Sequence, residues 1–354
     1  MRTRKILLIK ALLYIRGLSF QEQHPQVTSE ARDPATIAVP DCLVAFLCVT
    51  VKTLKRISRR KALVLCTTPL FAQTRPRIAI TIDDVRWQMI PEDRRPEAEE
   101  RLLQHLGSTR SFLFAIGQSV DNPHGSTILK RWSAAGHRIG NHTYSHQPLF
   151  GKISPDEFET DVLHNEDVLR DYSGFRKWFR FPALNEGQTR ELRDRFRSFL
   201  ARHGYRNGAV TIDASDWYYD QRLRSRLREQ RDFDVTLYRQ AYLDHIWDRA
   251  QYYEQLSRDV LWRSVPHTLL IHYNLLNSLF LGDLVAMFRS KGWGVIDAEE
   301  AFSDSVFTRQ PNTVPAGQSL IWALAKETGK FEGRLRYPGE DDVYEKPVLD
   351  RLGL

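Results

Sequence analysis

Cysteine is missing from most of the chain, because Cys42, Cys48 and Cys66 are the three that its 354 residues contain. A disulfide framework is therefore not expected beyond residue 72, and the spacing of these cysteines does not match a thiolate metal centre. Long apolar runs are missing as well, since none reaches the roughly 20 residues that a bilayer-spanning helix needs. No stable membrane span is predicted.

Residues 73–354 also lack an excess of either charge. The first 72 residues hold 12 Lys and Arg against 4 Asp and Glu, whereas the rest of the chain holds 39 against 40. The formal net charge of +7 therefore belongs to the beginning of the chain. Because the remainder has no basic surplus, no nucleic-acid partner is predicted.

Residues 1–75 are predicted to be a poorly ordered leader. Within them, residues 54–72 combine a basic cluster with a mostly apolar stretch that ends at Ala72. This order resembles a secretory signal, and it predicts export to the periplasm or the extracellular space. Because the segment is internal, an amphipathic linker is the alternative interpretation.

Strand-like and helix-like stretches alternate about seven times through residues 76–305. The first is the β-branched run Ile78–Ile82, which is typical of a buried parallel strand. Later, Ser154, Pro155 and Glu157 have the spacing of a helix start with a capping box. Such alternation predicts an α/β fold with parallel strands, either a barrel or a doubly wound sheet.

Two segments depart from this alternation. Residues 222–262 are strongly charged and helical in character, and they are predicted to form an insertion between strands. Residues 306–354 contain several prolines and one short helical pattern. They are predicted to be an irregular C-terminal extension that packs on the barrel and has no chemistry of its own.

Polar clusters follow the predicted strands at their C-terminal ends, where α/β folds place their sites. The first is Asp83-Asp84, and an unpaired buried carboxylate costs several kcal/mol unless something binds it. Taken singly, such residues are more typical of turns or of hydrogen-bonded structural positions. Their recurrence favours one shared site, and the later members are His142 to His146, Arg180 to Pro182, Asp213 to Trp217, and His272.

The residue types in these clusters suit metal-assisted hydrolysis. His142 and His146 can face one cation if their segment forms a helical turn, and two imidazoles with one carboxylate are a sufficient ligand set for catalytic Zn²⁺. One aspartate then binds the cation, and the other is free to take a proton from the metal-bound water. His272 can supply the complementary acid if an aspartate holds it protonated.

In sequence order, the five clusters resemble the motifs of NodB-like polysaccharide deacetylases, carbohydrate esterase family four, over residues 77–305. Thr81 to Val85 resembles the motif Thr-Phe-Asp-Asp-Gly, and the histidine pair is similar to His-Thr-x-x-x-His. The later clusters are similar to Arg-x-Pro, Asp-x-x-Asp-Trp and Leu-x-His. The resemblance implies a distorted (β/α)7 barrel.

The resemblance also implies roles for individual residues. Asp83 would be the general base, Arg180 would hold it, His272 would be the acid and Asp216 would orient His272. The divalent metal, most typically Zn²⁺, would be bound by Asp84, His142 and His146.

Two positions depart from the family pattern, and two aromatic residues are candidates for sugar binding. Val85 stands where the family has glycine, and Ala183 stands where an aromatic residue is usual, although its backbone N–H can still serve the oxyanion. Trp217 and Tyr144 could stack on a sugar face, whereas packing at the barrel rim is the alternative for Trp217.

The implied function is metal-dependent removal of N-acetyl groups from a sugar or polysaccharide, with metal-bound water as the nucleophile. The alternatives are hydrolysis of a small non-sugar amide or imide on the same scaffold, and carbohydrate binding without activity. A serine hydrolase is disfavoured because Gly-x-Ser-x-Gly is absent from the sequence. A Rossmann dehydrogenase is disfavoured because no Gly-x-Gly-x-x-Gly follows the first strand.

Overall fold

The computed structural model describes residues 75–149, 153–337 and 339–354. The predicted leader, its signal-like segment at 54–72 and the three cysteines lie outside the described residues. The first strand, β1, covers Arg77–Asp84, and its side chains from Ile78 to Asp83 are buried. The β-branched run therefore forms the buried parallel strand that its sequence predicts.

A parallel sheet of seven strands forms the centre of the fold. Its strands run in the order β6-β4-β3-β2-β1-β7, and β8 pairs with the beginning of β1. After β6 the chain pairs with β7 through Ile212 and Leu269, which closes the curled sheet. The bounds of the further strands are β2 Phe112–Ala115, β3 Arg138–Asn141, β4 Phe175–Phe179, β5 Asn185–Gly187, β6 Arg206–Asn207, β7 Pro266–His272, β8 Gly294–Val295 and β9 Ala316–Gly317.

Helices connect these strands, so the architecture is the distorted (β/α)7-like barrel that the resemblance of the motifs implies, and one of the two architectures that the alternation predicts. The long helix predicted after Ser154 begins with a complete capping box formed by Ser154 and Glu157. The helices are α1 Arg95–Leu106, α2 Gly117–Val120, α3 Pro123–Ala134, α4 Pro155–Leu169, α5 Arg190–Arg202, α6 Asp216–Glu229, α7 Leu237–Leu261, α8 Leu275–Ser290, α9 Ala298–Phe302, α10 Leu320–Glu327 and α11 Asp342–Leu352.

The predicted insertion consists of two helices, α6 and α7. Helix α6 begins six residues before the predicted start of the insertion, at Asp216, so this aspartate lies at a helix N-terminus rather than in a loop. Within the described parts of the chain, no helix is both long enough and apolar enough to cross a bilayer.

The C-terminal extension is more ordered than its proline content predicts. Strand β9 pairs antiparallel with β5, and α10 packs against α7. Helix α11 is attached to α6 by an ion pair of 2.8 Å between Arg222 and Asp350. Its irregularity is confined to the connections between these elements.

The barrel interior beneath the strand ends is shaped by one aromatic ring between two glycines. A Cβ atom added at Gly140 would lie 2.5 Å from the Phe114 ring, and one added at Gly208 would lie 2.4 Å from it. The Arg180 guanidinium lies 4.0 Å from the centre of the same ring. The two glycines therefore give Phe114 the room in which it supports Arg180.

We expect Gly140→Ala to lower the free energy of unfolding by about 1–3 kcal/mol, because the new methyl group overpacks Phe114. Urea denaturation monitored by circular dichroism measures the change. Gly333→Ala is the matched control, since a Cβ there meets nothing within 4 Å. Equal stability of the two variants would contradict the close packing around Phe114.

Candidate active site

Asp83 is held by a buried ion pair at the end of β1. Its Oδ1 lies 2.6 Å from Nη1 of Arg180, and both side chains are almost completely buried. Arg180 also donates to the Gly208 carbonyl at 2.8 Å and to the Thr81 hydroxyl at 2.9 Å. These bonds fix the guanidinium, so Asp83 has a fixed charged partner and a fixed orientation.

Asp84 turns toward two histidines instead. Its Oδ1 lies 3.3 Å from Nε2 of His142 and 3.3 Å from Nε2 of His146. Burial by itself disfavours the charged carboxylate, but the neighbouring imidazoles outweigh it and hold the pKa of Asp84 well below its usual value. The three side chains are close enough to share one cation.

The atoms of this triad fit a divalent metal ion. Oδ1 of Asp84 is buried and receives no hydrogen bond from the described residues, which is unusual for a carboxylate oxygen. Nδ1 of His142 lies 2.8 Å from the Arg180 carbonyl, so it carries the proton and leaves the Nε2 lone pair free. An oxygen and imidazole nitrogens are the donor set that Zn²⁺ accepts.

Arg86 adds a positive charge beside the triad. Its Nε lies 3.3 Å from Oδ2 of Asp84, and its Nη2 lies 2.9 Å from Nδ1 of His146. Because arginine can only donate, Nδ1 of His146 accepts this bond. A neutral His146 would then carry its proton on Nε2, the nitrogen that a metal needs. Arg86 therefore competes with a cation for His146.

His272 lies on β7, where it is the register partner of Asp83 on β1. Its Nδ1 is 2.8 Å from Oδ1 of the fully buried Asp216. The other oxygen of Asp216 accepts from the His272 backbone N–H and from the side chains of Asn274 and Asn277. Burial opposes the imidazolium, but the charge and hydrogen bond of Asp216 prevail and raise the pKa of His272 to about 10.

Six of these side chains line one cavity of about 620 Å³, namely those of Asp83, Asp84, Arg86, His142, His146 and His272. The C-terminal extension, for which no chemistry of its own is expected, contributes four residues to the lining of this cavity. The pairing of β9 with β5 and the packing of α10 bring them there. The lining includes Asp83, Asp84, Arg86, His142, His146, Ala183, Asp213, Trp217 and His272 from the barrel, and Gln318, Tyr337, Glu340 and Asp341 from the extension.

Backbone strain is concentrated around the cavity. Eight non-glycine residues in the described part of the chain have positive φ, and seven of them lie in the loops that form the site: Asp84, Val85, Thr143, His146, Ala183, Leu184 and Gln318. Because Thr143 has φ 63° and His146 has φ 59°, the histidine segment is an irregular loop and not the helical turn that joint metal binding suggested. Strain of this kind is typical of functional sites.

Of the three residues predicted to bind the substrate or the oxyanion, two line the cavity and one does not. Ala183 and the half-exposed Trp217 line the cavity. Tyr144 does not, because its ring stacks on His164 at a centroid distance of 3.9 Å. Arg86 and Tyr337 were missed by the sequence reasoning. The position of Arg86, two residues after an acidic pair, could have indicated that it contacts the site. No local sequence pattern indicates that Tyr337 reaches the cavity.

Comparisons with known proteins agree with the resemblance of the motifs. A family model described as polysaccharide deacetylase matches residues 72–208. A peptidoglycan-N-acetylglucosamine deacetylase of Bacillus cereus is 27% identical over 122 residues, which are 34% of this chain and 41% of that protein. The chain thus resembles the NodB-like polysaccharide deacetylases, and the match spans about two fifths of the length of that curated relative.

Solved structures of similar proteins include the peptidoglycan deacetylase PdaC from Bacillus subtilis, with 20% identity and a TM-score of 0.42 over 64% of this chain and 92% of that one. A pseudoenzyme of carbohydrate esterase family four from Bacillus anthracis has 16% identity and a TM-score of 0.43 over 65% of this chain and 66% of that one.

We expect Asp216→Asn to lower the pKa of His272 from about 10 to below neutrality. Once the charge and hydrogen bond of Asp216 are removed, burial disfavours the imidazolium, and only the charges of Asp84 and Asp83 still favour it. At pH 7 the ring should therefore change from protonated to neutral, which an NMR titration of the His272 imidazole measures. Asp244→Asn, on the outer face of α7, is the control. A His272 ring that stays protonated at pH 7 would contradict this role of Asp216.

Proposed function

We propose that this protein is a metal-dependent hydrolase that removes acetyl groups from the nitrogen of an N-acetylated sugar, within a polysaccharide or an oligosaccharide. The observation that carries the proposal is the division of two adjacent aspartates between two environments. Asp83 is bound by Arg180, and Asp84 faces two histidines. This division provides a base and a metal ligand at the same strand end.

Asp84, His142 and His146 would hold the metal, and Zn²⁺ suits this set of one oxygen and two nitrogen donors. A divalent cation supplies Lewis acidity, which lowers the pKa of water and polarises a carbonyl oxygen. A cation so held would also supply a partner for Oδ1 of Asp84.

The chain's own residues account for the proton transfers. Asp83 accepts the proton of the attacking water, and Arg180 keeps that carboxylate oriented. The backbone N–H of Ala183 is a donor for the oxyanion that develops on the acetyl carbonyl. His272, protonated at neutral pH and oriented by Asp216, delivers a proton to the leaving amine.

Two features support a carbohydrate as substrate. Trp217 is half-exposed and lines the cavity, as expected for a ring that stacks on a sugar. The curated relative carries a name that specifies an N-acetylated sugar.

The signal-like segment at residues 54–72 supports export, and the proposal includes a location outside the cytoplasm. The complete set of acid, base and ligands argues against carbohydrate binding without activity.

We expect Asp83→Asn to reduce acetate release from N-acetylated oligosaccharides at least about a hundredfold, because the general base is lost. The asparagine keeps an oxygen for Arg180, so elemental analysis of the purified variant should show undiminished metal. Asp84→Asn is the matched comparison, and it should lose the metal as well as the activity. Near-normal acetate release from Asp83→Asn would refute the assignment of the base.

We expect Arg86→Gln to raise the affinity for Zn²⁺ about tenfold, since a unit charge a few ångströms from a divalent ion costs on the order of 1–2 kcal/mol even in a watery setting. The substitution also frees Nδ1 of His146. A competition titration against a zinc-sensitive dye measures the affinity without reference to catalysis. Arg101→Gln, on the exposed face of α1, should leave it unchanged. Weaker zinc binding by Arg86→Gln would show that Arg86 assists the site.

A further inference from the structure

The C-terminal extension forms a wall of the catalytic cavity. Tyr337, Glu340 and Asp341, together with Gln318, line the same cavity as Asp83 and His272. We propose that this wall is a second sugar-binding subsite, which holds the sugar unit next to the one that loses its acetyl group, with Tyr337 as the stacking surface. The inference rests on the proposed function and specifies its substrate as an oligosaccharide of at least two units.

Exposed aromatic rings are concentrated at this cavity. Three aromatic side chains are exposed in the part of the chain that the structure describes, namely Trp217, Trp262 and Tyr337. Two of them, Trp217 and Tyr337, line the cavity. An exposed aromatic ring beside polar groups is the combination that binds a sugar, because a sugar has apolar C–H faces and a polar edge. Tyr337 is 51% exposed, so its ring is available to a ligand.

The segment that carries Tyr337 is held in place. The Glu340 side chain is 2% exposed and lies 2.8 Å from Arg336 and 3.4 Å from Arg249. It also accepts a hydrogen bond of 3.2 Å from the Ser215 hydroxyl. The Gly339 amide donates to the Gln318 side chain at 2.6 Å. A wall fixed in this way loses little conformational freedom when a ligand binds.

The charges of the wall suit an uncharged ligand with hydroxyl groups. The carboxylate of Glu340 is already paired with two arginines. Burial, followed by the neighbouring charge of Glu340, raises the pKa of Asp213 to about 8. A protonated Asp213 can donate a hydrogen bond to a hydroxyl group of the ligand.

The cavity is also large enough for more than one sugar ring. Its volume of about 620 Å³ lies in the middle of the range for pockets that enclose ligands much larger than a single sugar. The reacting unit lies at Asp83 and His272, which leaves the space beside the C-terminal wall for a neighbouring unit.

The test compares two substrates in the full chain loaded with zinc. The preference is the ratio of kcat/KM for the tetrasaccharide of N-acetylglucosamine to kcat/KM for the single sugar. We expect Tyr337→Ala to lower this ratio by roughly three- to tenfold, which corresponds to the loss of one aromatic stacking contact. Tyr337→Phe should retain most of the preference because the ring remains. Trp262→Ala removes an exposed aromatic ring that lies outside the cavity lining, and it should leave the preference unchanged.

A binding measurement separates the two proposals. Calorimetry with the tetrasaccharide should show weaker binding to Asp83→Asn/Tyr337→Ala than to Asp83→Asn. If the wild-type protein releases acetate but Tyr337→Ala changes neither the preference nor the binding, the subsite is refuted and the proposed function stands. If the wild-type protein neither releases acetate from the two sugars nor binds the tetrasaccharide, both proposals fail.

Discussion

The ion pair between Arg180 and Asp83 is the constraint on which the rest of the site depends. Burial lowers the pKa of the guanidinium, and the charge of Asp83 opposes this effect. Removing one partner of such a pair leaves an uncompensated buried charge, which costs several kcal/mol. The two residues therefore stabilise the barrel centre as a pair, and the ring of Phe114, for which Gly140 and Gly208 leave room, supports Arg180 from below.

The geometry at the end of β1 determines which partners Asp83 and Asp84 contact. Successive side chains of a strand point to opposite faces, so Asp83 turns into the barrel toward Arg180 and Asp84 turns elsewhere. At Asp84 the backbone leaves the extended conformation with φ 81°, and its carboxylate meets the two imidazoles. Adjacent residues of identical chemistry thus acquire different partners, through the alternation of side chains along the strand and the change of backbone conformation at Asp84.

Periodicity in the sequence was sufficient to predict parallel strands and the convergence of Asp83, Asp84, His142, His146 and His272, because the C-terminal ends of parallel strands meet on one side of the sheet. The choice of a barrel over a doubly wound sheet came from the resemblance of the motifs. Contacts that depend on tertiary packing were not predictable in this way. Tyr144 stacks on His164 of α4, and Tyr337 reaches the cavity because β9 pairs with β5 and α10 packs on α7. Neither arrangement has a local pattern in the sequence.

Val85 shows how a strained position can become fixed in a protein. A β-branched residue at φ 56° is unfavourable by about 1–2 kcal/mol, and glycine would remove that strain. The Val85 side chain is fully buried, however, and deleting it would forfeit about 1.5–3 kcal/mol of burial. A glycine at this position would relieve the strain but leave a cavity, so the loop gains from the exchange only if a neighbouring side chain fills the space that Val85 occupies. Strain and burial at Val85 are therefore coupled, and neither can be optimised without the other.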